Sequence, residues 1–273
     1  MIRAAVIGSP VVQSLSPAMH NAVFARLGID GHYDALDVAP SEFLETIDRL
    51  RHSEYVGLSV TMPHKDAAFR ACDEVSESAR RIGAVNTIHF RNGDVVGHNT
   101  DGVGCVNAIV RHGFSIVGKR CVVLGAGGAA RSVVDAFASA GAGEVIVVNR
   151  TEANARRAVA GLDSCRVGSL DDVAGSDVVV NCTSVGMGTD ETPVPKGDLN
   201  RVGCVLDAVY HPLRTRLLDD AIAAGAVAID GLWMLVYQAV EQQRLWFGHE
   251  VDAQLMRDAA LAELARRGND PTL

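Results

Sequence analysis

The stretch VVLGAGGAARSVVDAF, residues 122–137, constrains this chain more than any other. A run of β-branched residues ends in Gly125, Gly127 and Ala130, spaced G-x-G-x-x-A, and passes at once into a helical pattern. Glycine permits the tight turn and the close approach of backbone to a pyrophosphate. The helix N-terminus then offers N–H groups and positive potential to the phosphates. Glycine loops often only turn the chain, but a strand before and a long helix after are the context a dinucleotide requires. Around this stretch the segments RCVVLG, EVIVVN, DVVVNC, GCVLDAV and AVAID repeat a strand pattern, separated by helical or loop segments. That rhythm predicts a parallel, doubly wound sheet from about residue 102.

The end of the next strand indicates which dinucleotide. An NAD site places a carboxylate there for the ribose 2′-hydroxyl, whereas this chain has Asn149, Arg150 and Thr151. A guanidinium suits a 2′-phosphate through charge-assisted bonds, so the reading is NADP. The alternative at this point is a surface arginine that only ends a strand.

The first hundred residues also alternate strand and helix. RAAVIG, HYDALDV and VGLSVT read as strands, with SEFLETIDRLR as a capped helix between the second and third. In SPAMHNAVFARLG, Ser16 reads as N-cap, Pro17 as the first helical residue and Gly28 as terminator, with Met19, Val23 and Leu27 on one buried face. NTIHF and DVVGHN flank Asn92-Gly93, the strongest hairpin signal in the chain, so this block contains an antiparallel pair. A late apolar stretch, MLVYQAVEQQRLW, and a helix after Asp252 have no strands of their own to cover. They are expected to pack on the first block. The domains read as 1–101, 102–237 and a C-terminal helical segment 238–273.

Composition narrows the function class. An apolar fraction of 48% against 21% charged residues leaves ample material for cores, and a net charge of −8 argues against a nucleic-acid surface. The six cysteines are scattered without metal spacing and read as free thiols, and the nine histidines form no metal pair. The start MIRAAVIGS reads as a strand, and no apolar run reaches membrane length. The expectation is a soluble cytoplasmic protein without a metal.

Several polar segments stand where a core would want apolar residues. GLSVTMPHKDAAF places Lys65 in the first turn of a helix begun by Pro63, where the dipole repels a cation. QSLSP presents Ser14 and Ser16 at a helix start, able to hold a small carboxylate, although Ser16 also reads as a plain cap. Asn86 opens a strand, and Asp101 follows one in what by itself is an ordinary turn.

Taken together, the segments SLSPAMHN, SVTMPHK, GAVNT, GHNTDGVG, GAGGAAR, NRT, NCTSVGM, DAVYHPLRT and GLWMLVYQA resemble the shikimate dehydrogenase family over nearly the whole chain. The resemblance implies an N-terminal mixed-sheet α/β substrate domain and a doubly wound, Rossmann-like NADP domain, with an active-site cleft between them. It implies an NADP-dependent oxidoreductase that interconverts 3-dehydroshikimate and shikimate, as a monomer or homodimer. Lys65 and Asp101 fall on the family's catalytic pair. Ser14, Ser16, Ser59, Thr61, Asn86, Tyr210 and Gln238 fall on its substrate contacts. Gly125, Ala126, Gly127, Gly128, Ala129, Asn149, Arg150 and Thr151 fall on its NADP contacts, with Thr183, Ala208 and Gly231 on the nicotinamide side. Two positions depart from the pattern: Ser59 stands where the family usually has asparagine, and Asn154 where a second basic residue is common. Ser59 keeps a quinate or aminoshikimate dehydrogenase open as an alternative, and a non-catalytic NADP-binding regulator is the rival of another class.

Overall fold

A computed structural model describes residues 1–268. They divide into two units, each with its own sheet: the first 100 residues with the segment from Gln238, and Asp101–Tyr237.

In the first unit, β1 (Ile2–Gly8) is buried from Ala4 onward, as a strand covered on both faces should be. After α1 (Ser16–Leu27), β2 (Gly31–Asp37) pairs with β1 in parallel, and after α2 (Phe43–Leu50), β3 (Tyr55–Val60) pairs on its other side. Next come α3 (Lys65–Ala71), β4 (Glu74–Val75), α4 (Glu77–Ile82), β5 (Thr87–Arg91) and β6 (Asp94–His98). The sheet order is β2-β1-β3-β5-β6-β4, with β3–β5 and β5–β6 antiparallel. Asn92 (φ 55°) and Gly93 (φ 88°) both take the left-handed conformation that a two-residue type I′ hairpin demands.

Four local expectations are corrected. Ser16 is the first helical residue of α1 rather than its cap, and the Ser14 hydroxyl accepts the Ser16 N–H instead (3.2 Å). Met19 and Val23 are buried, but Leu27, the last residue of α1, is 46% exposed. The helix α3 begins at Lys65, with Pro63 in the preceding turn, and α2 has no side-chain cap.

The second unit opens with α5 (Asp101–Arg111) and then alternates β7 (Arg120–Leu124), α6 (Gly128–Ser139), β8 (Glu144–Val148), α7 (Glu152–Val159) and β9 (Cys165–Val167). It continues through β10 (Val178–Asn181), β11 (Cys204–Asp207), α8 (Arg216–Ala223) and β12 (Val227–Ile229). All pairings are parallel, in the order β12-β11-β10-β7-β8-β9. This is the doubly wound dinucleotide-binding order, with the direction of winding reversing between β7 and β10. Val122, Val179 and Val205 on adjacent strands form its buried centre.

The helix α9 (Gly231–Phe247) gives its first turns to the second unit and its residues from Gln238 to the first. Within the first unit, the Trp246 indole fills the space left by Gly57 and donates to the Ile88 carbonyl (2.9 Å). A Cβ at Gly57 would lie 2.1 Å from the indole nitrogen, so only glycine fits there. The last helix, α10 (Ala253–Arg266), is capped by Asp252 and packs on α1. Beyond it, the Arg267 guanidinium donates to the carbonyls of Gln13 (2.9 Å) and Ser14 (3.1 Å). Residues 269–273, which the sequence reading put in the C-terminal segment, lie outside the described residues.

Candidate active site

The nucleotide side is built at the carboxyl ends of the second unit's strands. Gly125 has φ +108°, a conformation that side chains resist, and its N–H is held by the Val148 carbonyl (2.8 Å). A Cβ there would meet the Cys182 carbonyl at 3.2 Å and the Thr183 methyl at 3.3 Å, so the loop after β10 lies directly on the glycine turn. Gly127, by contrast, is exposed and a Cβ on it would touch nothing, which leaves the N-terminus of α6 open to a ligand. Ala126, Gly128 and Ala129 are half-buried around it, while Ala130 is fully buried against the sheet. This fits a pyrophosphate, whose oxygens need backbone N–H groups and no intervening side chain.

At the end of β8 the Asn149 amide donates to the Thr151 carbonyl (2.8 Å) and shapes the turn that carries Arg150. Arg150 is exposed and has no carboxylate partner among the described residues. Arg156 is instead committed to Glu152 on its own helix, and Arg157 to Asn154. Arg150 is therefore the guanidinium in this turn that neither of these contacts commits. On the other side of the switch point, a Cβ on Gly231 would lie 2.5 Å from the Ala208 carbonyl oxygen. The start of α9 thus rests on the loop after β11, and Ala208 and Gly231 are neighbours.

A buried polar set that the sequence reading did not single out supports these loops. The Asp207 carboxylate accepts from Asn181 Nδ2 (2.9 Å), the Thr215 hydroxyl (2.7 Å) and the Val209 N–H (3.1 Å). The Asn181 Oδ1 in turn accepts the N–H and hydroxyl of Thr183. Burial pushes the Asp207 carboxyl above its ordinary range, opposed by the three donors around it. Both residues end strands within the quoted motifs NCTSVGM and DAVYHPLRT, and a polar residue closing a run of valines was the available signal.

Of the remaining expected residues, Asp101 and Tyr210 lie in the second unit. Asp101 is the first residue of α5, where a carboxylate suits the dipole, and is only 8% exposed. The next residue, Gly102, lets α5 touch α6: its N–H reaches the Ser132 hydroxyl (2.7 Å), and a Cβ would strike the Ser132 carbonyl at 2.2 Å. Tyr210 is half-buried in the loop after β11.

The first unit collects Ser14, Ser16, Ser59, Thr61, Lys65, Asn86 and Gln238. The end of β3, the start of α3 and the start of β5 bring Ser59, Thr61, Lys65 and Asn86 together. The Val60 N–H bonds the Asn86 carbonyl (2.7 Å), and the Val85 N–H bonds the Lys65 carbonyl (3.0 Å). Thr61 follows β3 and closes the turn to His64, its carbonyl accepting the His64 N–H (3.0 Å). The buried His64 ring stacks on Phe43 (4.6 Å) and bonds the Val38 carbonyl (2.8 Å), which fixes the residue before Lys65. Lys65 itself is half-buried. Ser59 is buried between the Tyr33 phenol (2.5 Å) and the Gln242 amide oxygen (2.8 Å). Asn86 bonds both the backbone N–H and the hydroxyl of Thr100, and Gln238 lies beyond that hydroxyl (3.5 Å). Tyr33, His64, Thr87, Thr100 and Gln242 all escaped the sequence reading. Among the described residues no His, Cys, Asp and Glu group is arranged for a metal, and no helix is long and apolar enough to cross a membrane.

Three family models match separate stretches of the chain. Residues 6–88 match the shikimate dehydrogenase substrate-binding domain, 108–189 the shikimate/quinate 5-dehydrogenase domain and 231–261 the shikimate 5′-dehydrogenase C-terminal domain. A shikimate dehydrogenase (NADP+) of Pyrococcus abyssi is 44% identical over 267 residues, covering 96% of this chain and 98% of that one. The Thermus thermophilus shikimate 5-dehydrogenase, solved with NADP(H) and shikimate, superposes with a TM-score of 0.91 at 38% identity, covering 96% and 99%. A 5-ketofructose reductase of a Gluconobacter strain reaches 0.88 at 33% identity, covering 96% and 98%. With a substrate-type sheet, a doubly wound dinucleotide sheet and whole-length relatives at this identity, the chain belongs to the shikimate dehydrogenase family.

Proposed function

We propose that the protein catalyses the reversible reduction of 3-dehydroshikimate to shikimate with NADPH. The observation that carries this reading is the gathering of Ser14, Ser16, Ser59, Thr61, Lys65 and Asn86 on the first unit, together with an open glycine turn and a free arginine on the second. Bound NADPH supplies a hydride to the carbonyl carbon. The α6 N-terminus holds its pyrophosphate, Arg150 its 2′-phosphate, and Thr183, Ala208 and Gly231 border its nicotinamide. On the substrate side, Ser14 and Ser16 hold the carboxylate, and Asp101 and Tyr210 are further substrate contacts. Lys65 Nζ gives a proton to the developing alkoxide oxygen and takes it back in the reverse direction. Positioning by the fixed strand ends converts that transfer into an effectively intramolecular step. On this reading the protein works in the cytoplasm, on the route to chorismate and the aromatic amino acids, as a monomer or homodimer that engages neither nucleic acid nor membrane.

One observation favours a second reading. Ser59 replaces the family's usual asparagine, and a relative of the same fold is a 5-ketofructose reductase. A change at this position alters the pocket lining, so a different polyhydroxylated substrate, quinate included, is the alternative. Absorbance at the NADPH band separates them, with shikimate or quinate offered with NADP or NAD. Reduction with shikimate and NADP is the expected result. Turnover with quinate alone overturns the main reading, and silence in every combination points to the non-catalytic regulator.

A further inference from the structure

The hydrogen bonds around Ser59 have only one consistent direction, and a single backbone group fixes it. The Thr100 N–H can only donate, so the Asn86 atom 2.8 Å from it is the amide oxygen. That oxygen lies 2.7 Å from the Thr87 hydroxyl, which must therefore donate to it. Having spent its proton, Thr87 can only accept from Gln242, so Gln242 presents Nε2 to Thr87 (3.0 Å). Its Oε1 then faces Ser59 at 2.8 Å, and the Ser59 hydroxyl must donate to it. Tyr33, at 2.5 Å, is left as the donor to Ser59 Oγ. Ser59, Asn86 and Gln242 are all buried, and Thr87 and Gln242 are fully so.

We propose that Gln242 is a positioning residue that sets substrate specificity by taking the Ser59 proton. With that proton committed and one lone pair filled by Tyr33, Ser59 can only accept a hydrogen bond from a ligand. Position 59 thereby selects a substrate hydroxyl able to donate and discriminates against a carbonyl or ether oxygen at the same place. An asparagine there would offer both a donor and an acceptor. Gln242 touches no substrate itself: it sits on α9, and its amide bridges β3 to β5, passing the orientation of Asn86 on to Ser59. The inference rests on the proposed reading that Ser59 lines the substrate pocket.

The test is steady-state kinetics on Gln242→Met, Thr87→Val, Ser59→Ala and the Ser59→Ala/Gln242→Met pair, with thermal melts as a check on folding. Gln242→Met is expected to raise KM for shikimate about tenfold and to leave KM for NADP unchanged. The same substitution in the Ser59→Ala background should add nothing, since the hydroxyl it orients is gone. Thr87→Val removes the acceptor of the Gln242 amide at nearly constant shape and should raise shikimate KM in the same way, which keeps the test available if the methionine variant does not fold. Unchanged shikimate KM in folded variants, equal changes in both KM values, or a full additional effect in the Ser59→Ala background each overturns the role of Gln242. Wild-type protein that never turns over shikimate overturns the functional reading instead.

Discussion

At the residue scale, Lys65 is the proposed proton donor. It occupies the first position of a short helix whose dipole disfavours a cation, and His64 is locked behind it by a stacked phenylalanine and a backbone carbonyl. A solvated surface lysine has no need of such support. Lys65→Ala is expected to lower kcat by about 10²–10⁴-fold, the range of a lost general acid, while NADP affinity stays nearly intact. Normal kcat would remove Lys65 from the mechanism. Asp101→Asn should cost about 10²-fold in kcat, the order expected when a positioning contact fails, and an unchanged rate would make Asp101 only the first residue of α5. A different side chain governs stability. His20 is fully buried, stacked on Tyr33 (4.2 Å) and bonded through Nδ1 to Gln243, and burial pushes its imidazole down to about 3. Unfolded, the same group titrates near 6.5, so between these values the unfolded chain holds more protons. The His20 contribution to stability is complete above pH 6.5 and is lost as pH falls toward 3, by up to ~1.4 kcal/mol per pH unit. Urea midpoints at pH 7 and pH 4.5 should therefore differ less for His20→Gln than for the wild type, and an equal difference in the two proteins would refute the assignment. The proposed catalytic and binding residues could be named because each stands out against its neighbours in a short motif. Gln242 was not, since its partner Ser59 lies 183 residues away in sequence.

At the scale of elements, long apolar runs and special turn residues carried the reading, and short or boundary features did not. The Asn92-Gly93 hairpin and the glycine turn after β7 follow from backbone conformations that few residues tolerate. The strand β9 has only three residues, all half-buried at the sheet's edge, so it left no periodic signal. Ser16 and Pro63 were read as starts because their residue types favour helix N-termini, yet a turn of bonded backbone precedes each helix and shifts the boundary. The buried Asn181, Asp207 and Thr215 set was also hidden, because its members come from two strand ends and a helix cap and meet only in the folded sheet. Gly231 shows how tightly those loops fit. Alanine there would place a methyl 2.5 Å from the Ala208 carbonyl oxygen and 2.7 Å from that of Val209, and backbone atoms cannot swing aside. Gly231→Ala is expected to cost about 1–3 kcal/mol by urea unfolding and to raise KM for NADP, as overpacking beside the proposed nicotinamide border should. A variant as stable as the wild type with an unchanged NADP KM would show that the helix start can yield.

At the scale of the whole molecule, the chain carries two sheets with separate cores, and the proposed ligands divide between them. The parallel, doubly wound class of the second unit followed from the regular repeat of valine-rich strands. The first unit needed its hairpin to reveal a mixed sheet, and nothing in the sequence showed that β4 would pair in parallel at the far edge. A ligand that binds only the native state stabilises whatever must be folded to bind it. NADP at about a hundred times its Kd should therefore add roughly 2.7 kcal/mol to the free energy of opening the amides it requires. Those amides belong to β7, α6 and β8, since the glycine turn and Arg150 lie at their ends. Hydrogen exchange with NADP alone should accordingly slow in these elements first, whereas shikimate alone should slow the end of β3 and the start of β5, where Ser59, Thr61 and Asn86 sit. Protection by NADP confined to the first sheet would contradict the assignment of the glycine turn. Protection by shikimate that spares β3 and β5 would contradict the assignment of Ser59 and Asn86, and with it the acceptor role that Gln242 imposes on Ser59.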